Sequence, residues 1–528
     1  MKTVHFNREN KGLFTKISNR ISYNQVSLQK YIQQPFSKVA FESQAELKSL
    51  NYKSENRSIL VKALTEDYKK VELNDLVKTN IQSLLEKNTF TITTGHQLSI
   101  FTGPIYFIYK ILHTIRLTEE LNKMYPEKNF IPVFWMASED HDFEEIQSVT
   151  LFNKTIKWET EQNGPVGRFK LDSFDEIRTE FKELFTNHPE SEVIDLLNKY
   201  DGKNLGEATF NLVHHLFKKY GLVIVDGDNE LLKNAFSHTL KQEITTKFSF
   251  KEVIKTNTEL VKEEVKLQIT PREINLFFIE DNLRSRIEIH EEGYFIKEKG
   301  IYSQEELLKL LENNPSSFSP NVVLRPLYQE TILPNLCYLG GGGEMAYWLQ
   351  LKGIFDKTTT LFPLIQVRNS LLSIDSNSSK KMDKIGLSIQ DFFIPTEELK
   401  KKYVLDNSSD ELNFSELNNS FKVFCDSIVK QTLQLDSNLK SFSDAEISRL
   451  EKQLTSIKQK LIKTEKSKHE QALQQIDQLK TKLFPNGTLQ ERSINFFSLC
   501  ADGEVYKHLD EIYNAIDAFG NDLIVIER

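Results

Sequence analysis

The sequence predicts an α/β protein built on a mostly parallel sheet, with a long helical arm towards its C-terminus. From Thr89 onward short apolar runs alternate with helical patterns, and polar clusters follow the runs, as in successive βαβ units. After Asn407 apolar residues recur at alternating steps of three and four, the spacing of a narrow helical seam.

The first strand is expected at Thr89 to Thr94, followed by Gly95-His96-Gln97 and a helix from Pro104 to Met124. Its Ile105, Ile108, Ile111, Leu112 and Ile115 share one helical face. Phe130 to Met136 is a second strand, and it runs into Ala137-Ser138-Glu139-Asp140-His141-Asp142, a polar loop that opens another helix. Phe210 to Tyr220 reads as a helix closed by Gly221, and it places His214 and His215 in structural positions. Leu222 to Val225 then forms a buried strand ending in Asp226-Gly227-Asp228. Leu336 to Leu339 leads into the run Gly340 to Gly343, then Glu344 and an aromatic helix through Tyr347 and Trp348. The strand Leu361 to Val367 delivers Arg368.

Residues 151–210 and roughly 245–320 interrupt the alternation and read as insertions between core strands. The core is expected over 1–406, the arm over 407–484, and a segment returning to the core over 485–528. In the arm, Phe414, Leu417, Phe421, Phe424 and Ile428 form one seam, and Ile447, Leu450, Leu454, Ile457 and Leu461 form another. Ser443 and Glu446 match a capping box after a Lys440 to Phe442 link, which predicts a second helix of about 40 residues, on the order of 60 Å, ending at Pro485-Asn486-Gly487. Its pattern drifts between Leu461 and Ala472. An apolar seam on two long helices predicts self-association; the alternative is that the two helices cover each other within one chain.

A net charge of −8 and the absence of any basic stripe exclude a nucleic-acid partner as the main reading. Cys337, Cys425 and Cys500 are too scattered for a zinc site and read as reduced thiols, so a cytoplasmic protein with no metal is expected. The polar segment Met1 to Lys11 and the lack of any run of about 18 apolar residues argue against secretion and membrane insertion.

Four strand ends deliver polar groups, and in open α/β sheets the ligand crevice lies outside those ends. The glycine run permits close approach of an anion, because glycine reaches positive φ and leaves N–H groups free at a helix start. It matches neither the dinucleotide fingerprint nor a Walker loop, and a plain structural turn is the competing account. The segment Glu139 to Glu145 suits an amine or a cation, although Glu144 and Glu145 also fit as acids opposing a helix dipole. His96 is a candidate proton shuttle or anion donor, or else a solvated loop residue. Lys380 to Lys384 reads as a basic surface helix.

Three blocks together resemble the bacillithiol biosynthesis cysteine-adding family. They are Thr94-Gly95-His96-Gln97 through Thr102-Gly103-Pro104-Ile105-Tyr106 and Lys110; Pro132-Val133-Phe134-Trp135 through Glu139-Asp140-His141-Asp142-Phe143; and Arg325-Pro326 through Gly343-Glu344-Met345-Ala346-Tyr347-Trp348. The likeness continues through the arm to Leu489-Gln490-Glu491-Arg492. It implies a Rossmann-like core related in outline to class I aminoacyl-tRNA synthetases, connecting-peptide insertions and a coiled coil that promotes a homodimer. It also implies a ligase that adds L-cysteine to glucosaminyl malate by amide-bond formation, with ATP use by analogy with other ligases.

From the strand ends together with that resemblance, Asp140, His141, Glu344 and His96 are the catalytic candidates, with Asp140 and Glu344 orienting the acceptor amine and a carboxylate there accepting its proton. Gln97, Thr102, Gly103, Tyr106, Lys110, Arg325, Gly341, Gly342, Gly343, Tyr347, Trp348 and Arg368 are the candidates for holding substrates and their anionic parts. The chain departs from the family pattern at His96, where many relatives carry Gln, and in its richer glycine run. A catalytically silent small-anion-binding or coiled-coil scaffold protein, and a nucleotidyl-transferring enzyme with another substrate, are the alternative readings.

Overall fold

The computed structural model describes residues 2–9, 12–408 and 414–528. Met1, Asn10 and Lys11 of the polar N-terminal segment, and residues 409–413 of the expected arm, lie outside the described residues. The chain divides into two units, Met1–Leu372 with Gln490–Ile526, and Ser373–Leu489 with Glu527–Arg528.

In the first unit, helix α1 (Ala40–Asn51) precedes strand β1 (Thr89–His96), helix α2 (Tyr106–Met124) and strand β2 (Asn129–Met136). Strand β3 (Val223–Asp226) and helix α3 (Glu230–Thr246) follow. An antiparallel block then comprises β4 (Leu276–Glu280), β5 (Leu283–His290), β6 (Gly293–Ile296), β7 (Gly300–Tyr302) and β8 (Phe318–Pro320). Helix α4 (Arg325–Ile332), β9 (Asn335–Gly340), α5 (Gly342–Asp356) and β10 (Leu364–Val367) complete the core.

The core sheet has the order β10-β9-β1-β2-β3, and every neighbouring pair is parallel. Its strands are buried on both faces, which explains the near-continuous apolar runs of Phe130 to Met136 and Val223 to Val225. Helix α2 follows β1 because Ile108, Ile111, Leu112 and Ile115 recur on one side. All four are fully buried, each worth about 1.5–3 kcal/mol relative to exposure.

The insertion at 245–320 supplies a second sheet, order β7-β6-β5-β4-β8, antiparallel throughout. Alternation sets its faces: Arg284 and Arg286 are two residues apart on β5 and project to the same side, with Arg286 opposite Phe277 of β4.

In the second unit, α6 (Thr396–Asp406), α7 (Phe414–Leu435), α8 (Lys440–Lys468) and α9 (Glu470–Leu483) dominate. Helices α7 and α8 run antiparallel, with Lys458 bonded to Asn418. The expected boundary at 406 moves to 372, because α6 packs on α8 and α9 and Lys400 pairs with Asp477 at 2.6 Å. The expected link and cap also move. The turn is Ser437–Leu439, Asp436 accepts from the Asn438 N–H, and Ser443 sits buried inside α8 rather than capping it. The 40-residue helix is two helices broken at His469, within the stretch where the apolar pattern drifts. Among the described residues no helix is long and apolar enough to cross a membrane.

Candidate active site

Parallel register brings His96, Met136, Asp226, Gly340 and Val367 to one edge of the core sheet. Gly95 lies beside Trp135, Met136 beside Asp226, Leu339 beside Thr94 and Gly340 beside Val367. Outside this carboxyl edge lies a cavity of about 630 Å³. Of the residues singled out in the sequence, it gathers His96, Gln97, Lys110, Asp140, His141, Arg325, Gly343, Glu344 and Tyr347.

Glu344 is held on all sides. Its Oε2 accepts from Lys110 Nζ at 2.8 Å and from the Gly341 N–H at 3.2 Å. Its Oε1 accepts from the Tyr338 hydroxyl at 2.6 Å and lies 3.5 Å from that of Tyr347. Lys110 also donates to the Gly95 carbonyl at 2.6 Å. Burial pushes the Glu344 pKa up, but the Lys110 charge and these hydrogen bonds outweigh it and keep the carboxyl below its ordinary range. With both oxygens occupied, Glu344 is an organiser of the wall and not an open acceptor for an amine, contrary to the role expected for it.

Asp140 is less enclosed. Its Oδ2 accepts from Gln97 at 2.8 Å, while Oδ1 accepts from the backbone N–H groups of His141 at 2.7 Å and Asp142 at 3.3 Å. Burial works to raise its pKa, and the opposing His141 hydrogen bond, Arg284 charge and Gln97 hydrogen bond hold it below the usual carboxylate range. A carboxylate so acidic is a weak proton acceptor near neutrality and a good permanent anion.

The opposite wall comes from the inserted sheet, whose contribution sequence reasoning missed. Arg284, Arg286 and Arg272 line the cavity with Phe277 and Asn321. The Arg284 guanidinium lies 3.9 Å from the Phe277 ring centre, 4.0 Å from Asp140 Oδ1, and donates to His141 Nδ1 at 2.5 Å. Among the described residues, Arg272, Arg286 and Arg325 have no carboxylate at ion-pair distance, although the Glu344 charge acts on Arg325, so the cavity is lined by several cations together with the Asp140 carboxylate. The only hint in the sequence was the alternation Leu283-Arg284-Ser285-Arg286-Ile287, which marks a strand with two like charges on one face.

Deeper in, Glu139 pairs with Lys233 at 2.8 Å, Lys233 with Asp228 at 2.6 Å, and Arg168 with Asp228 at 2.7 Å. Asp226 bonds Ser138, and burial followed by the Asp228 charge pushes its pKa up to about 7. The acids at the end of β3 thus form a buried ionic floor and do not face the cavity. His96 packs against the rings of Tyr106 and Phe107 at 5.3 and 5.4 Å. Burial, then the Lys110 charge, lowers its pKa to about 3, which keeps the imidazole neutral and unsuited to shuttle a proton near pH 7.

Several expected binding residues lie elsewhere. Arg368 is spent on a buried bidentate pair with Glu491, at 3.0 and 2.8 Å. Trp348 stacks on Tyr338 at 4.6 Å, behind the wall. Thr102 is buried, and Asn495 ties its loop down by donating to the carbonyls of Phe101 and Gly103. Tyr106 stands behind His96, with Arg368 5.1 Å from its ring. Gly341 and Gly342 do not line the cavity either. None of Gly340 to Gly343 has positive φ; the requirement is space, since a Cβ on Gly340 would meet Glu344 Oε2 and one on Gly342 would meet Ser18, both within 2.6 Å. Among the described residues no group of three or more His, Cys, Asp or Glu is placed to hold a metal ion.

Comparison with known proteins agrees with this architecture. Residues 1–369 match the N-terminal Rossmann-like domain of bacillithiol biosynthesis BshC, and residues 371–528 match its C-terminal coiled-coil domain. A Flavobacterium johnsoniae protein named "Putative cysteine ligase BshC" is 42% identical over 462 residues, covering 86% of this chain and 87% of the relative. A Flavobacterium psychrophilum protein of the same name is 41% identical over 483 residues, covering 90% and 89%. One from Chlorobaculum tepidum is 28% identical over 470 residues, covering 84% and 83%. With both domains and most of its length matched, this chain belongs to the bacillithiol biosynthesis BshC family.

Proposed function

We propose that this chain is a ligase that joins L-cysteine to glucosaminyl malate through an amide bond, giving bacillithiol in the cytoplasm. The observation that carries this reading is a cavity lined both by the Asp140 carboxylate and by Arg272, Arg286 and Arg325, none of which has a carboxylate at ion-pair distance among the described residues. The malate carboxylates suit those guanidinium groups, which bind planar anions through paired donors. The glucosamine nitrogen suits Asp140, with Gln97 and Arg284 fixing the carboxylate that receives it.

In the reaction the amine nitrogen attacks the cysteine carboxyl carbon. A C–N bond forms, the bond from that carbon to a leaving oxygen breaks, and the nitrogen gives up a proton. Free carboxylate is a poor electrophile, so ATP is the proposed activating co-substrate, and the same arginines fit phosphate oxygens. Asp140 orients the amine electrostatically and leaves deprotonation to another acceptor, because its own basicity is suppressed.

The test is incubation of the purified chain with L-cysteine, glucosaminyl malate and ATP, with the thiol product read by mass spectrometry. Product that requires all three supports the proposal. No product, with glucosaminyl malate still bound, moves the reading to a silent binding protein; product without ATP removes the nucleotide from it.

We also propose a homodimer through the arm, supported by apolar side chains that α7 and α8 leave exposed, among them Val423, Phe424, Phe442 and Ile457. Light scattering showing a monomer, or a dimer that survives replacement of 413–484 by a short linker, removes that part.

A further inference from the structure

The imidazole of His141 lines the same cavity as Asp140, and its position is fixed on several sides. The His141 N–H donates to Asp140 Oδ1 at 2.7 Å, and its carbonyl accepts from the Phe143 N–H at 3.0 Å. The ring centre lies 5.3 Å from that of Phe277 on the inserted sheet. Arg284, whose side chain is 7% exposed and lies against the same Phe277 ring, donates to His141 Nδ1 at 2.5 Å.

That last bond fixes the tautomer. A guanidinium has donors only, so the nitrogen that receives it offers a lone pair and carries no hydrogen. The ring hydrogen then sits on Nε2, because the bond made by one imidazole nitrogen decides the form of the other. The side chain is 44% exposed, and no described residue accepts from Nε2. His141 is therefore a pre-set donor beside the carboxylate assigned to the amine.

An amine held at Asp140 attacks a carbonyl carbon next to it, and the carbonyl oxygen gathers negative charge as the C–N bond forms. We propose that His141 is a catalytic residue that donates its Nε2–H to this oxygen, a role that rests on the ligase reading. Such donors act by stabilising charge as it develops. The hydrogen stays on Nε2 throughout. When the bond to the leaving oxygen breaks, its electron pair departs with that oxygen, the carbonyl re-forms, and the amine's proton passes to solvent.

Two substitutions separate this role from a structural one. In His141→Asn the side-chain oxygen can still accept from Arg284, but nothing donates at the Nε2 position. In His141→Gln an N–H reaches that position, while Arg284 loses its acceptor. With L-cysteine, glucosaminyl malate and ATP, His141→Asn should lower kcat on the order of 10²- to 10³-fold, and His141→Gln should recover at least about tenfold of it. KM for glucosaminyl malate should change little in either. An unchanged kcat in His141→Asn, or a His141→Asn as active as His141→Gln, would overturn the proposal. Long-range ¹H–¹⁵N correlation from the carbon-bound ring protons reads the tautomer on the full chain without substrates. The signal missing in His141→Gln should show hydrogen on Nε2 alone; hydrogen on Nδ1 would overturn the proposal whatever the kinetics. A parent chain that makes no product fails the ligase reading itself and takes the catalytic role with it, whereas an active parent with an active His141→Asn fails this inference alone.

Discussion

The two walls of the cavity are built on different principles. The wall formed by the ends of β1, β2 and β9 carries carboxylates already held in place, with Glu344 closed in by Lys110, Tyr338 and Gly341 and Asp140 steadied by Gln97 and two backbone donors. The wall formed by the inserted sheet carries guanidinium groups, and among the described residues only Arg284 of these has a carboxylate at ion-pair distance. The parallel sheet thus supplies rigidity and a pre-set negative charge, while the insertion supplies positive charge left for a ligand. Damage to the first wall should show as lost stability or turnover, and damage to the second as weakened binding.

The largest effect is expected at the most enclosed group. Glu344→Gln leaves Lys110, 5% exposed, without its counter-charge, a change that costs about 3–5 kcal/mol when a buried pair is broken. Chemical denaturation should register that loss. Replacing Lys110 by Met as well should recover much of it, and a double variant no more stable than Glu344→Gln would show that the pair is not the source.

Asp140→Asn bears on turnover as well as on the fold. An orienting charged hydrogen bond is worth about 1.5–3 kcal/mol, so kcat/KM for amide formation should fall roughly 10- to 150-fold. The thermal midpoint should also fall, because the fold holds Asp140 ionised beside the little-exposed Arg284, so kcat/KM is read well below that midpoint, on folded protein. Unchanged kcat/KM would remove Asp140 from the site.

On the opposite wall, Arg286→Ala should raise KM for glucosaminyl malate about tenfold, the low end for a charged contact at an exposed residue, with kcat nearly unchanged. A fall in kcat with KM intact would mean that the two walls share the chemistry and the contrast fails.

The smallest effect at neutral pH concerns His96. Its folded pKa, about 3, lies below the ordinary value of 6.5, so the folded state binds fewer protons than the unfolded state between those values. Its contribution to stability is therefore complete above pH 6.5 and is lost progressively as pH falls towards 3. His96→Gln should flatten the decline in thermal midpoint between pH 6.5 and 4. An identical decline in both proteins would assign it to other groups, such as His113, which burial lowers to about 4.

The parallel core and the residues at its carboxyl edge are legible in the amino-acid pattern. Strand and helix periodicity are local properties, and parallel register follows once strands such as Thr89–His96 and Asn129–Met136 pair along their length. So are the paired helices of the arm, because a three-and-four seam needs no distant information. Which polar groups are left without a counter-charge depends on the folded arrangement. Arg368 and Arg325 look equivalent in the chain, yet Glu491, 123 residues away, neutralises the first while the second faces the cavity. Likewise Arg284 and Arg286 lie more than a hundred residues from Asp140, and only the folding of the antiparallel insertion against the sheet edge sets their charges across from its carboxylate. Charge pairing is settled by distances in space, and a buried partner cancels a charge that the sequence can only count.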